Sequence, residues 1–275
     1  MTPRLSASGL DKDTCPTPES NPGPVDSKAT FESTALNCVS FRTEPTPFKD
    51  LTKNIYVGGA SLIHPSVALT AAHYVAQSTR LQVRAGEWDT TSNFEIYQYQ
   101  DRNVQINMFF DVALLVLAQP MTLAPHVGVA CLPPPDQRTS DSTRCFATGW
   151  GKDTFSKDAG YHYILKKIEL PVVARSKCQR QMRNTRLGSH FNLHSTFMCA
   201  GGEPGQDTCF GDGGSPLSCP IEGQAGRFEQ SGIVSWGIGC SEGGVPGIYV
   251  DVSTVRSWID EKVVSLGYDP KVYTA

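Results

Sequence analysis

An all-β domain, sandwich or barrel, closed by one amphipathic helix is the fold class that the 275-residue sequence predicts. Three observations lead there. Short apolar, β-branched runs recur between Gly, Pro and polar clusters, the pattern of many short strands. The 25 glycines and 19 prolines provide turn residues without reaching a disordered or collagen-like composition. Nine cysteines lack the paired C-x-x-C spacing of a zinc ribbon or a thioredoxin-like motif, so they read as disulfides.

Residues 1–40 are rich in Pro, Ser, Thr and Asp with little apolar periodicity, which predicts a largely disordered linker. The folded domain is expected over 41–268. Strand-like runs follow at Asn54–Val57, Leu81–Ala85, Ala113–Leu117, Ile164–Val173, Ser231–Trp236 and Gly247–Val252. Val252, Val255, Ile259 and Val263 then recur at helical spacing, with Ser253 as the candidate N-cap. Residues 269–275 are left as a tail. The Phe109-Phe110 pair and the Tyr97/Tyr99 alternation are read as core and strand packing rather than a ligand cage.

Composition removes several functions. Hydrophobic residues at 39% support a real core, and a net charge of -3 with no Lys/Arg run argues against nucleic acid as a partner. No stretch approaches the roughly 18 to 20 apolar residues of a membrane span. Met1 to Leu10 holds one Arg and no apolar core, so it is not a secretory signal as it stands. The cysteines nevertheless predict an extracellular home, with the N-terminus incomplete or processed. His190 and His194 form an H-x-x-x-H pair without a third ligand at suitable spacing, so no metal and no cofactor is expected.

Three motifs carry chemistry when read in order: Leu69-Thr70-Ala71-Ala72-His73, Asp111-Val112-Ala113-Leu114-Leu115 and Gly211-Asp212-Gly213-Gly214-Ser215-Pro216. A His, then an Asp, then a Gly-rich segment is one chain order of a nucleophilic triad. Together with CFATGWG from Cys145, MCAGG from Met198, VSWG from Val234 and PGIYV from Pro246, they make Gly58 to Val264 resemble the trypsin-like serine proteases. The resemblance implies two six-stranded antiparallel Greek-key β-barrels with a C-terminal helix. It also implies that His73 and Asp111 stand where the family's base and its orienting acid stand.

The third motif departs from the family. Active members read GDSGGP, whereas this chain places Gly213 at the serine position, leaving His73 and Asp111 as a remnant dyad. Loss of the nucleophile costs such an enzyme on the order of a millionfold in turnover. The resemblance therefore implies a pseudoenzyme in which the Gly211 and Gly213 N–H groups form an oxyanion-hole-like feature. Ser215, two residues on, is the only candidate replacement, and an active endopeptidase of trypsin-like specificity using it is the alternative.

No Arg or Lys followed by an IVGG-like run precedes the domain at the family's distance, and Val57-Gly58-Gly59 lies too close to His73. The first strand is thus expected to be degenerate or missing, and Asp212, left without an activating amine, is expected in a zymogen-like, mobile loop. Asp207 matches the family's acid for Arg or Lys recognition, with Ser235, Trp236, Gly237 and Gly247 around the same pocket. The resemblance pairs Cys145 with Cys219, Cys178 with Cys199 and Cys209 with Cys240. It leaves Cys15 and Cys38 as candidate partners of Cys131, with Cys15 favoured. The family cystine beside the His is absent, with Gly58 and Tyr74 at its two positions.

GDGGSP with Leu217-Ser218-Cys219-Pro220, the Ala85–Asp89 run and the Ala200–Gly205 run resemble the non-catalytic insect clip-domain serine protease homologues. That subgroup's six-cysteine clip module is not complete in this sequence, and Cys15 reads as a linker remnant. The resemblance implies a secreted protein of innate immunity that binds proteins: clip-domain proteases, prophenoloxidase or microbial surfaces. An extracellular adhesion or reproductive-fluid module is the second alternative. Oligomeric state is not legible.

Overall fold

A computed structural model describes Cys15 and residues 38–43, 55–76, 81–90, 99–124, 126–152, 160–240 and 243–275. The first barrel contains β1 (Cys38–Thr43), β2 (Ile55–His64), β3 (Val67–Thr70), β4 (Leu81–Ala85), β5 (Gln100–Phe109) and β6 (Val112–Leu117), closed in the order β1-β2-β3-β6-β5-β4. The second contains β7 (Arg144–Gly149), β8 (Lys166–Val173), β9 (Phe197–Ala200), β10 (Pro216–Pro220), β11 (Phe228–Trp236) and β12 (Gly247–Asp251), closed as β10-β11-β12-β9-β8-β7. All pairings within the two barrels are antiparallel.

One expectation is corrected here. The first strand is present: β1 pairs with β2 along one side, from Cys38↔Ser61 to Thr43↔Ile55, and with β4 along the other, from Val39↔Ala85 to Thr43↔Leu81. Its six residues, CVSFRT, are too few and too mixed to announce a strand. What makes them one is a pair of long-range ladders that satisfy the backbone on both sides.

The sequence VALLVL of β6 is apolar at every position, where one buried face would require only every second. The structure gives the reason. Ala113, Leu115 and Leu117 point into the first barrel, while Val112 and Leu114 join a second cluster between the barrels. That cluster also holds Leu69, Ile233, Val250 and the helix residues Val252, Val255, Ile259 and Val263. Leu170, Leu217, Val234 and Tyr249 fill the second barrel.

Among the described residues three helices flank the barrels: α1 (Ala72–Val75), α2 (Arg175–Arg183) and α3 (Val252–Ser265). The N-cap of α3 is Asp251 rather than Ser253. Ser253 lies in the first turn and donates its hydroxyl to Asp251 Oδ1 at 2.6 Å, and Thr254 donates to the Asp251 carbonyl at 2.7 Å. The segment set apart in the sequence as a tail ends in a 3-10 turn, Pro270–Tyr273, that buries Tyr273 in the interbarrel cluster. Arg256 stacks over the Tyr273 ring and donates to the Leu132 and Pro133 carbonyls, tying helix, turn and barrel together.

Four disulfides join Cys15 to Cys131, Cys145 to Cys219, Cys178 to Cys199 and Cys209 to Cys240. The first stitches the linker segment to the domain, where Cys15 is buried and its N–H donates to the Val272 carbonyl at 2.7 Å. The Cys38 side chain lies outside the described residues, as does Tyr97. Phe109 and Phe110 are not core residues. They are 39% and 63% exposed, at the tip of the β5–β6 hairpin, with Phe109 stacked on Trp258. Phe110 has a φ of 50°, which turns its ring outward at the one position where the hairpin must reverse.

Candidate active-site remnant and specificity pocket

Residues from both barrels converge at the cleft. β3 ends at Thr70, whose hydroxyl donates to the Gly59 carbonyl at 2.8 Å, and α1 follows at once, placing His73 at the barrel mouth. The β5–β6 turn delivers Asp111. Its Oδ1 lies 2.8 Å from His73 Nδ1 and accepts the His73 backbone N–H at 3.0 Å, while its Oδ2 accepts from the Ser235 hydroxyl. Burial acts to raise the Asp111 pKa, but the hydrogen bonds from His73 and Ser235 outweigh it and hold the carboxyl below its ordinary value. The His73 side chain is 44% exposed and that of Asp111 only 19%. A half-buried acid thus orients a more open imidazole and leaves Nε2 on the cleft side, an arrangement that could relay a proton if a nucleophile were present.

No side chain stands at 213 to receive that service. Gly213 accepts the Gly59 N–H at 3.0 Å, and Gly214 donates to the Val234 carbonyl at 2.8 Å, so the turn is pinned to both barrels. A β-carbon built on Gly213 overlaps the Tyr74 ring at Cε2, Cζ and Oη.

Ser215 is placed away from the cleft. It is 0% exposed, and its hydroxyl points at Gly59, where an added β-carbon would collide with it. Among the described residues that hydroxyl has no hydrogen-bond partner, and Ser215 does not line the cleft cavity that His73 and Gly213 line. Burying an unsatisfied hydroxyl costs about 1–3 kcal/mol. Ser215→Ala is therefore expected to leave stability unchanged or to raise it by about 1 kcal/mol, read by urea unfolding. A loss of that size would show that the hydroxyl has a partner.

Asp212 is partly buried. Its Oδ1 accepts the Gly151 N–H at 2.8 Å and its Oδ2 the Cys209 N–H at 2.9 Å. Burial pushes its pKa up to about 6 against the pull of those two bonds. Gly149 and Gly151 are glycines because a β-carbon at either would strike this carboxyl group. The expected cost of burying the acid without an amine is thus met by two backbone donors and by easier protonation.

Asp207, Ser235, Trp236, Gly237 and Gly247 line one cavity of about 220 Å³, together with His73, Tyr74 and Gly213. Asp207 is the one carboxylate among its lining residues. Gly211, expected beside Gly213, is not at the cavity. It adopts φ 99°, lies against the Tyr161 ring and accepts the Tyr56 hydroxyl on its carbonyl at 2.8 Å. The Phe210–Asp212 turn, closed by the Asp212 N–H donating to the Cys209 carbonyl at 3.0 Å, draws it aside. His190 and His194 fall after α2 rather than on a helix. His194 Nδ1 pairs with the Thr196 hydroxyl at 2.9 Å, and the described residues contain no group of three metal-ligating side chains.

The cavity-lining residue whose placement the sequence does not indicate is Tyr74. Its only signal was its place directly after His73, where a half-cystine was absent. Tyr74 lies 4.3 Å from the His73 ring between centroids and packs on both first-barrel and interbarrel clusters. Burial first, then the charges of Asp212, Tyr161 and Asp111, raise its pKa.

Two closed barrels meeting at a His–Asp pair and a one-carboxylate pocket agree with the comparisons. The trypsin family model matches residues 45–259. The chain belongs to the trypsin family. Within it, this trypsin-family chain is 57% identical over 265 residues to phenoloxidase-activating factor 2 of Galleria mellonella, covering 92% of this chain and 88% of that protein. It is 40% identical over 219 residues to inactive CLIP domain-containing serine protease A8 of Anopheles gambiae, covering 76% and 59% respectively. It is 34% identical over 218 residues to serine proteinase stubble of Drosophila melanogaster, covering 74% of this chain but 27% of that protein. Among the described residues no helix is long and apolar enough to cross a membrane.

Proposed function

We propose that this chain is a secreted, catalytically inactive member of the trypsin family that acts by binding proteins, as a cofactor or regulator in a protease cascade that activates phenoloxidase in innate immunity. The observation that carries the loss of catalysis is Gly213 at the serine position, beside an assembled His73–Asp111 pair. The cascade assignment is supported by similarity to a phenoloxidase-activating factor and to proteases named inactive. Four disulfides suit an oxidising extracellular compartment. The 220 Å³ cavity with Asp207 is the site proposed to take a Lys or Arg side chain of a protein partner, held without being cut.

The test combines chemistry and reconstitution. Exposed to a fluorophosphonate probe, the chain is expected to show no mass increase, and Arg-ending peptide substrates are expected to turn over on the order of a millionfold more slowly than with a triad-intact relative. Added to prophenoloxidase and an active clip-domain protease, it is expected to raise the phenoloxidase activity obtained. Labelling at Ser215 would reverse the inactive reading. Unchanged phenoloxidase activity, with capture only of partners that are neither protease nor phenoloxidase, would favour an adhesion module.

A further inference from the structure

The cleft has lost its hydroxyl, and the space that a hydroxyl would need is also filled. We propose that Tyr74 is the residue that determines what this cleft admits: its ring closes the nucleophile position and forms, with His73, the inner rim of the Asp207 cavity. The space becomes a blind pocket for one basic side chain rather than a track for a peptide bond. This deepens the binding reading above and rests on it for the identity of the occupant.

Three observations place the ring there. A β-carbon at position 213 would coincide with the far end of Tyr74, so any residue other than glycine at 213 must displace the phenol. The ring is not a loose surface group. It packs against the first barrel's core and the interbarrel cluster and lies over the His73 imidazole, so displacement breaks contacts on three sides. It also lines the same cavity as Asp207, His73 and Gly213, which puts it in the path of whatever enters. Gly213 and Tyr74 are therefore complementary. The position that lacks a half-cystine and the position that lacks a serine are filled by one side chain, and restoring serine alone does not restore an open site.

The test compares four proteins for labelling by a fluorophosphonate: the parent, Gly213→Ser, Tyr74→Ala and Tyr74→Ala/Gly213→Ser. Labelling requires the introduced hydroxyl to bond to phosphorus while fluoride leaves and the hydroxyl proton passes to His73. The parent and Tyr74→Ala lack the hydroxyl and stay unlabelled. Gly213→Ser is expected to react about a hundredfold more slowly than the double variant, since a misplacement near 1 Å costs about that much. Tyr74→Ser/Gly213→Ser repeats the comparison with a second small residue, in case the alanine variant folds poorly. Binding of p-aminobenzamidine, followed by its fluorescence, shows in each protein whether the pocket is intact.

Equal labelling of the single and double variants would overturn the proposal, because the ring would not be an obstruction. Silence of both double variants, with p-aminobenzamidine still bound, would overturn it too, because removing the ring would not have opened the site. Labelling of the double variants in proteins that never bind p-aminobenzamidine would uphold the ring's role while refuting the basic-pocket reading.

Discussion

Replacing Asp207 with alanine is expected to weaken p-aminobenzamidine binding by roughly 30-fold to several thousand-fold. Truncating one partner of a desolvated, hydrogen-bonded charge pair costs about 2–5 kcal/mol, and each 1.4 kcal/mol is about tenfold. Asp207 is the one carboxylate among the lining residues of the cavity, so nothing else there offers an anion to an amidinium or guanidinium. The affinity of the parent chain, of Asp207→Ala and of Asp207→Asn should fall into that order, with the parent tightest and the amide variant intermediate. Titration of the probe's fluorescence measures all three. Equal affinity across the series would show that the cavity holds aromatic ligands by shape alone, and the basic-side-chain reading would go with it.

Raising the pH from 4 to 6.5 is expected to cost the folded state about 2 kcal/mol through Asp212. Its folded pKa is about 6, above the 3.8 of a free aspartate, and each unit of difference is worth about 1.4 kcal/mol. Because the folded chain holds this proton more tightly, the contribution is complete only well below the unfolded value of 3.8. It is lost as the unfolded carboxyl ionises first, and it levels off above pH 6. Glu229, which burial pushes up to about 7, acts in the same direction. Asp111 acts oppositely: with its pKa held low, it supports the fold at neutral pH and is lost as pH falls below the ordinary aspartate range. Stability should therefore peak in mildly acidic solution. Urea unfolding of the oxidised protein across pH 4–8, beside Asp212→Asn, isolates the term. The variant loses one acceptor and is less stable at low pH, but its profile should lack the step. Parallel profiles would mean that Asp212 is ionised at its ordinary pKa and screened.

Several features were legible because they depend on local sequence alone. Turn residues between short apolar runs indicated an all-β domain, and the 3.6-residue spacing of Val252, Val255, Ile259 and Val263 indicated the closing helix. The ordered motifs around His73, Asp111 and Gly213 indicated the family and the missing hydroxyl. Other features were not legible, each because it depends on contacts distant in sequence. CVSFRT becomes β1 only through ladders to residues 55–61 and 81–85, and the absence of an IVGG-like run upstream carries no information about those ladders. Asp251 and Ser253 differ as caps only by where β12 hands over to α3. Phe109 and Phe110 looked like core, yet the hairpin reversal turns them outward.

The division is clearest at the cleft. The sequence by itself determined that no side chain occupies position 213, that an acid sits at 207 and that a tyrosine follows His73, because these are facts of residue identity. Only the tertiary structure decided that the Tyr74 ring fills the volume Gly213 leaves, that Ser215 turns its hydroxyl into the protein, and that Gly211 moves to Tyr161 while Gly213 stays at the pocket. The physical reason is excluded volume. Whether the Tyr74 ring occupies the space beside Gly213, 139 positions away, is settled by how closed barrels pack against each other, and no local pattern encodes that distance.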